Sequence, residues 1–500
     1  MQRPVSSPAT SSCSTTPSQR KKRPRGRLSL VVSALNPAAA RVRLAPPPLA
    51  AGALLSVGAP LAVLAVALAF AAARLTVQDS WLALVSGREV AEHGLPTLDH
   101  LTVLGGGHTW IDQQWLAGLL LYGAARVGGV GLALSLCTLA ILVAFGIAAA
   151  VANRRGASPA SILVFLALAV AAAPWGLQPR AQALALPLFV VVLALLVEDP
   201  RGERHRTLLV LPVLCLWANV HGSVVVGAAL VFAYALRTRA LRYLLAPLTV
   251  AASPYAPHLP AYYRLMLVDP PFGRYISEWS RTTPSPFTAA FFVLAAVAAV
   301  LAIRRRGQLG LFDHIALVLT LAVALEAIRG IIWFALAALA LLPAIATRRQ
   351  GTAFEGRATA VFAAAAIAVV VIALSLTAAR PARAYELSFP AGLADVVRDG
   401  AGAHELVLAN EATSDWLLWR VPELRGRLAY DVRFEVLTRA EVTRLFAWRN
   451  FAPGWRRVAD PYAVVVDDPA HIRGLVATGR WRRVLAGSQI AVAERIRHAR

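Results

Sequence analysis

The sequence predicts an α-helical polytopic membrane protein with about eleven transmembrane helices and a small C-terminal α/β domain. Of its 500 residues, 58% are hydrophobic and only 15% are charged, whereas roughly a quarter of the residues in a soluble domain are charged. The apolar residues also lie in long blocks, many of them close to the roughly 20 residues that cross a bilayer as a helix. A membrane domain with one soluble domain therefore fits the length and composition best.

The chain divides into three predicted parts. Residues 1–50 are rich in Ser, Pro, Ala and Arg and contain no Asp or Glu, which predicts a disordered basic tail. Residues 51–380 form the transmembrane domain, and residues 381–500 form the α/β domain. We place the spans near residues 51–74, 130–152, 158–176, 180–197, 207–219, 222–237, 240–254, 287–303, 311–328, 330–346 and 358–378.

Arginines in the short loops predict the orientation. They fall on alternate turns, on the same side as the basic N-terminal tail, and such an excess marks the cytoplasmic side. The longer segments 75–129, 254–286 and 380–500 then lie outside, so the N-terminus is cytoplasmic and the C-terminus is extracytoplasmic in a multi-pass plasma-membrane protein. The net charge of +23 does not indicate nucleic-acid binding, because the charge forms no basic face with interleaved aromatic residues.

Local patterns predict further elements outside the spans. Within the outer segment 75–129, Trp81 to His93 and Trp115 to Val127 read as helices, the second amphipathic and suited to the membrane interface. In the C-terminal domain, short apolar runs predict strands at Glu405 to Ala409, Tyr462 to Val466 and Gln489 to Ala493.

Polar residues at the outer ends of the spans are the candidates for function, because ionisable groups at membrane depth are costly. Asp79 could act as a general base or a metal ligand, or it could be a solvated loop residue beside the interfacial Trp81. Asp99, His100 and Asp112 could converge with Asp79 on one cavity and bind a divalent cation, Mg or Mn, or they could form a turn and a helix cap.

Later polar residues add candidates for an anion site. Arg180, with Gln182, is suited to binding a phosphate, although a snorkelling side chain is the alternative. Asn219 and His221 lie between two short spans, where His221 could also be a helix cap. Glu278 follows in an outer loop, and Arg329 could bind a ligand or pair with Glu326 along one helix.

Taken together, these residues map to one side of the membrane, which they share with the C-terminal domain. The motifs on this side resemble the GT-C superfamily of polytopic glycosyltransferases over about residues 55–495. The matching residues are Asp79, Trp81, Gly87, Pro96, Asp99, Trp110, Trp115-Leu116, Arg180, Gln182, Leu216 to Gly222, Glu278-Trp279, Trp416 to Trp419 and Tyr430 to Arg433.

The resemblance implies roles for these positions. Asp79 would be the catalytic base or a metal-associated carboxylate, with Asp99 or Asp112 orienting the acceptor or sharing a cation with it. Trp81, His100 and Trp110 would contact substrate. Ala83, Gln114 and Asp112 stand where His, Glu and an amide are common in the superfamily, which puts metal binding in doubt.

The function that follows is transfer of a sugar from a polyprenyl-phosphate donor to a glycan, lipid or protein acceptor at the outer face. Arg180, His221 and Arg329 would neutralise the departing phosphate. One alternative is a transporter or flippase of a lipid-linked or anionic solute, for which polar groups at mid-membrane and an internal repeat are expected. The other is a non-catalytic scaffold of the same fold.

Overall fold

The computed structural model describes residues 51–268, 270–347 and 357–496. The predicted basic tail, residues 1–50, lies outside these ranges. The membrane part is built from helices α1 to α13: Ala51–Leu75, Gln78–His93, Trp115–Arg154, Pro159–Ala172, Ala181–Val197, Val210–Val220, Val224–Thr238, Leu259–Leu267, Ala289–Arg304, Leu311–Glu326, Ile331–Leu341, Pro343–Ala346 and Arg357–Ala379.

Helical segments occupy every predicted span, so the mostly helical, multi-pass architecture agrees with the sequence. Among the described residues, three helices are long and apolar enough to cross a membrane by length and composition alone: Val57–Leu75, Trp115–Arg154 and Val361–Ala379. The span predicted at 240–254 is an eleven-residue 3₁₀ helix, Leu241–Ala251, that contains Pro247. Because the other segments are shorter than a full span, the count of eleven stays a prediction.

Helix α3 joins the predicted interfacial helix to the second predicted span. The two parts meet at a kink where Gly128 and Gly129 leave helical geometry, and Gly129 has φ 74°. Positive φ favours glycine, since a side chain there meets the backbone. The sequence prediction of two helices that meet near residue 128 is therefore confirmed.

The C-terminal domain is a small mixed sheet covered by helices. Helices α14 to α17 are Leu393–Ala401, Glu411–Arg420, Arg439–Arg449 and Pro469–Val476, and strands β1 to β4 are Val407–Ala409, Val464–Asp467, Trp481–Leu485 and Ala491–Arg495. The strand order is β1-β2-β4-β3. Strands β1 and β2 are parallel, with Leu408 opposite Val465, and the other pairs are antiparallel.

The predicted strands correspond to β1, β2 and β4, and each of these begins two residues after its predicted start. The prediction did not include β3. Its sequence, WRRVL, places two arginines in the middle of the strand, and both are exposed. An edge strand with a charged outer face lacks the apolar run that identified the other three.

Helix α2 packs closely on α3 and carries the C-terminal domain on its other side. A Cβ on Gly87 would fall well inside contact distance of the Gly118 carbonyl, so the two helix backbones approach at paired glycines. Toward the domain, Arg425 donates to Glu89 at 3.0 Å through Nε, and Arg88 Nη2 donates to the Leu418 carbonyl at 2.5 Å. The position of α2 therefore fixes both the helical bundle and the domain.

A buried ion-pair cluster also joins the domain to the segment between α2 and α3. Arg433 Nη2 lies 2.8 Å from Asp99 Oδ1 and 2.6 Å from Asp431 Oδ2, and all three side chains are buried. Beside the cluster, the backbone N–H of Val103 donates to the Leu428 carbonyl at 2.8 Å. Because a buried charge is stable only when it is paired, this cluster fixes how the domain docks.

Replacement of Gly87 by Ala tests the contact between α2 and α3. The added methyl group would push α2 away from the Gly118 carbonyl, at a cost of roughly 1–3 kcal/mol, so we expect a lower Tm in detergent. Gly123→Ala on α3 is the matched control, because a Cβ there meets nothing within 4 Å. Equal Tm values for the two variants would contradict the close packing.

Candidate functional site

A cavity of about 690 Å³ lies between the ends of the helices and the C-terminal domain. We call this end of the helices the domain side. The cavity wall includes residues from α2, α5, α7, α8, α10 and the C-terminal domain. Of the residues that the sequence singled out, those that line it are Asp79, Trp110, Asp112, Arg180, Gln182, His221, Glu278 and Arg329.

Arg180 stands at the centre of the polar wall. Its Nη1 donates to Asp79 Oδ2 at 2.7 Å and to Glu278 Oε2 at 2.9 Å, and the side chain is only 4% exposed. Nη2 is buried and has no hydrogen-bond partner among the described residues. The alternative of a snorkelling arginine is therefore wrong, since this guanidinium is held inside the protein by two carboxylates.

Three chain segments deliver this triad. Arg180 follows Pro179 and is the extended residue that precedes α5, whereas Asp79 lies in the first turn of α2, where a helix favours negative charge. Glu278 lies in a turn that is tied to the end of α10, because Thr282 Oγ1 donates to the Ala324 carbonyl at 2.6 Å. The three side chains meet although about 100 residues separate Arg180 from each carboxylate along the chain.

Arg329 is the cavity arginine without a carboxylate partner in the described ranges. Its guanidinium carbon lies 4.2 Å from the ring centre of Trp279, and no Asp or Glu oxygen approaches within ion-pair distance. The predicted alternative pair with Glu326 does not form, because Glu326 lies 3.6 Å from the exposed Arg281 instead. Arg329 therefore lines the cavity without an ion pair of its own in the described residues, although the charges of Glu278 and Asp79 act on it from nearby.

The other lining arginines are neutralised. Arg433 pairs with Asp99 and Asp431 as described above, and Arg449 lies 2.8 Å from Glu411. Burial alone would lower the pKa of Arg433, but the charges of the two aspartates outweigh it and raise the pKa. Among the described arginines of the lining, Arg329 is therefore the one without an ion pair.

His221 contributes a neutral imidazole. Burial, followed by the charges of Arg329 and Arg180, lowers the pKa of His221 to about 3. Its Nδ1 accepts a hydrogen bond from the backbone N–H of Ser223 at 3.1 Å, so the proton of the neutral ring belongs on Nε2. His221 both caps a helix, as its alternative predicted, and lines the cavity as a hydrogen-bond donor.

Asp112 and Gln113 also line the cavity, where Gln113 lies beside Gly222. Asp112 Oδ1 accepts from the Gln114 backbone N–H at 3.1 Å, while Oδ2 and both amide atoms of Gln113 are buried without a partner in the described chain. Burial raises the pKa of Asp112 to about 6, although the Gln114 N–H and Arg433 act in the opposite direction. The wall therefore contains a carboxyl that titrates near neutrality beside an unsatisfied amide.

Sequence reasoning missed Gln113 and Glu435. Glu435 lines the cavity and has neither an ion pair nor a hydrogen bond to another described residue, and burial raises its pKa to about 7. The one available signal was its place two residues after the Tyr430 to Arg433 stretch of the family resemblance. Hydropathy alone could not show that the turn of the C-terminal domain that contains Glu435 faces the helices.

Four predicted residues do not line the cavity. Trp81, on α2, has its side chain buried in the core, and His100 is exposed on the segment that follows α2. Asp99 belongs to the buried cluster with Arg433. Asn219 holds the backbone in place, since its Oδ1 accepts from Trp115 Nε1 at 3.0 Å and its Nδ2 donates to the Cys215 carbonyl at 2.9 Å.

The predicted pair of metal ligands, Asp79 and Asp99, does not fit a divalent cation. Asp99 Oδ1 accepts from the Leu101 N–H and Arg433, and Oδ2 accepts from Thr102 at 2.6 Å. Asp79 is engaged by Arg180. In the ranges that the structure describes, no group of three or more His, Cys, Asp or Glu side chains is arranged to hold a metal ion.

One wall of the cavity is apolar. Val225 and Ala229 on α7 face it together with Leu319 and Val323 on α10, and α7 and α10 are neighbours in the bundle. A site with a positive end and an apolar wall is suited to an amphiphile with an anionic head group.

Over most of its length the chain is similar in structure to polytopic GT-C glycosyltransferases. ArnT from Cupriavidus metallidurans in the apo state gives a TM-score of 0.47 at 14% identity, over 87% of this chain and 97% of that one. The same protein bound to undecaprenyl phosphate gives 0.47 at 16% identity, with the same coverage.

The apo Archaeoglobus fulgidus oligosaccharyltransferase gives a TM-score of 0.47 at 12% identity, over 82% of this chain and 69% of that one. No protein-family model and no curated protein sequence matches the chain.

Replacement of Asp112 by Asn tests whether the Asp112 carboxyl is buried, through the pH dependence of the free energy of unfolding. The raised pKa means that the wild-type folded state holds its proton up to about pH 6, so wild-type stability falls between about pH 4 and pH 6 and is then constant. Because Asn does not titrate, we expect its Tm advantage over wild type to grow across that window. The free energy of unfolding of Asp112→Asn then exceeds that of wild type by about 3 kcal/mol at pH 7. A pH-independent difference would contradict the buried carboxyl.

Proposed function

We propose that the protein is a membrane glycosyltransferase that moves a sugar from a polyprenyl-phosphate donor to an acceptor hydroxyl at the domain side of the membrane. We take that side to be the outer face, as the arginine pattern predicts. The observation that carries the proposal is Arg329, a guanidinium without an ion pair in the described chain, in a cavity with an apolar wall.

Phosphate recognition follows from the cationic end. A guanidinium binds phosphate oxygens with directed N–H donors, and Arg329 has no carboxylate competing for them in the described chain. Arg180 Nη2 and the Nε2–H of His221 supply further donors on the same wall. Together they stabilise the negative charge that the departing polyprenyl phosphate gains.

The apolar wall between α7 and α10 supports a lipid carrier. Val225, Ala229, Leu319 and Val323 offer the first prenyl units a surface without polar groups, next to the phosphate donors. Burial of hydrocarbon contributes roughly 0.8 kcal/mol per methylene, so such a wall selects a lipid-linked phosphate over a free one.

The transfer step then balances as follows. The acceptor hydroxyl oxygen forms a bond to the anomeric carbon, and the bond between that carbon and the phosphate oxygen breaks. The phosphate leaves with the electron pair, and the hydroxyl proton passes to a cavity carboxylate.

Asp79 as the base stays a prediction, and its contact with Arg180 argues for another role. Because their carboxylate oxygens accept hydrogen bonds from Arg180 Nη1, Asp79 and Glu278 act as positioning residues for Arg180. Asp112 and Glu435 are the lining carboxyls without a cationic partner in the described residues. Their raised pKa values suit proton transfer near neutral pH.

Binding of undecaprenyl phosphate to purified protein tests the cationic end. We expect wild type to bind and Arg329→Gln to bind roughly tenfold or more weakly, a loss of about 1.4 kcal/mol or more. Arg281→Gln is the matched control, because this arginine is exposed and near the same turn. Equal affinities for the two variants, or no binding by wild type, would contradict the phosphate site.

Release of undecaprenyl phosphate from radiolabelled lipid-linked sugars tests the chemistry. In proteoliposomes with a membrane extract as the source of acceptor, we expect release by wild type and by Arg281→Gln. Loss of a phosphate donor raises the barrier to departure, so Arg329→Gln releases at least tenfold less. Uptake of the intact lipid-linked sugar without any release would instead support a flippase.

A further inference from the structure

Arg329 has no carboxylate that orients it, and a second arginine lies nearby. Burial, followed by the charge of Arg180, lowers the pKa of Arg329, whereas the charges of Glu278 and Asp79 act in the opposite direction. Both carboxylates form their ion pairs with Arg180 and neither forms one with Arg329 in the described residues. A contact other than a salt bridge must therefore hold this guanidinium in place.

The ring of Trp279 provides that contact. The guanidinium carbon of Arg329 lies 4.2 Å from the ring centre, a distance at which the negative face of an indole attracts a cation. Phe272 packs edge-on against Trp279, with ring centres 5.3 Å apart. Since Phe272 belongs to the buried core, the ring that holds Arg329 is itself supported by the fold.

An aromatic partner affects an arginine differently from a carboxylate. Asp79 and Glu278 both accept hydrogen bonds from Nη1 of Arg180, so they occupy donors of that guanidinium. An indole attracts a cation through its ring face and has no conventional hydrogen-bond acceptor. Trp279 can therefore orient Arg329 while the N–H donors stay available to a phosphate, and it adds no negative charge that would repel one.

The backbone joins the turn that carries the ring to the turn that carries the guanidinium. These turns are the short 3₁₀ helices Ser277–Trp279 and Ile328–Gly330. The first N–H of the second turn donates to the Ser280 carbonyl at 3.2 Å, and the N–H of Thr282 donates to the Leu325 carbonyl at 2.9 Å. The two turns are therefore fixed to each other and to the last turn of α10.

The same turn also positions the second arginine. Glu278 is next to Trp279 in the chain, and its Oε2 accepts from Arg180 Nη1 at 2.9 Å. Two adjacent side chains thus hold two neighbouring cations by different means. Arg180 is held by an ion pair that balances its charge, and Arg329 is held by a ring face.

We propose that Trp279 is a positioning residue that orients the Arg329 guanidinium toward the phosphate of a lipid-linked substrate, while its neighbour Glu278 orients Arg180. The assignment rests on the proposed function, because a phosphate is the group that Arg329 would bind. It makes the turn Ser277–Trp279 the element that sets the spacing of the two arginines.

The affinity of Trp279 variants for undecaprenyl phosphate tests this role in the purified full chain. Trp279→Leu removes the ring face but keeps an apolar side chain, so we expect roughly fivefold weaker binding. Trp279→Phe keeps a ring face and should bind within about twofold of wild type. Trp419→Leu is the matched control with wild-type affinity, because Arg88 lies 5.7 Å from the centre of that ring and neither residue lines the cavity.

A double-mutant cycle separates orientation of Arg329 from any other effect of the ring. The Arg329→Gln background has no guanidinium to orient, so Trp279→Leu should change the affinity there by less than about twofold. A loss that is as large in this background as in wild type would overturn the role. Equal affinities of wild type and Trp279→Leu would also overturn it, as would equally weak binding by Trp279→Leu and Trp279→Phe.

A measurement without ligand separates the contact from the phosphate site. In NMR spectra of protein with isotope-labelled arginine, the signal that is missing from Arg329→Gln identifies the Nε–H of Arg329. We expect the ring current of Trp279 to displace this signal in wild type, and the displacement to be lost in Trp279→Leu. An undisplaced wild-type signal would overturn the contact. A displaced signal in a wild type that does not bind undecaprenyl phosphate would contradict the proposed function instead.

Discussion

A buried arginine shared by two carboxylates holds the site together. Arg180 joins the start of α5 to the first turn of α2 through Asp79. Through Glu278 it also joins α5 to the turn that contacts the end of α10. Loss of one partner from a buried ion pair typically costs 3–5 kcal/mol, because a charge is left uncompensated. Since α2 also carries the C-terminal domain, the same contact sets the distance between the helices and the domain.

A second cluster on the domain side determines where charge remains free. Arg433 is paired with Asp99 and Asp431, and Arg180 with Asp79 and Glu278, so the charge of each arginine is balanced by carboxylates of the protein. Arg329, which lies on Trp279, is the lining arginine without an ion pair in the described residues. The cavity thereby combines an arginine that has no ion pair in the described chain with titratable and uncharged polar groups.

Much of this organisation could be predicted from the sequence, because hydropathy reports helices and arginine bias reports sides. That reasoning placed Asp79, Arg180 and Glu278 on one side, although it could not show that they touch across about 100 residues. Asp99 lies close to Asp79 in sequence and was expected beside it. Instead, Asp99 pairs with Arg433, 334 residues away, in the contact between the C-terminal domain and the segment after α2. Glu435 was not predicted, because candidates were chosen as ionisable residues near the membrane, and a carboxylate in a soluble domain does not stand out by that criterion.

An experimental structure of the protein with bound undecaprenyl phosphate tests the central claim most directly. We predict that the phosphate oxygens lie within hydrogen-bond distance, about 3 Å, of the Arg329 guanidinium, with the first prenyl units between α7 and α10. A phosphate bound elsewhere, while Arg329 stays on Trp279 without contacting it, would contradict the account.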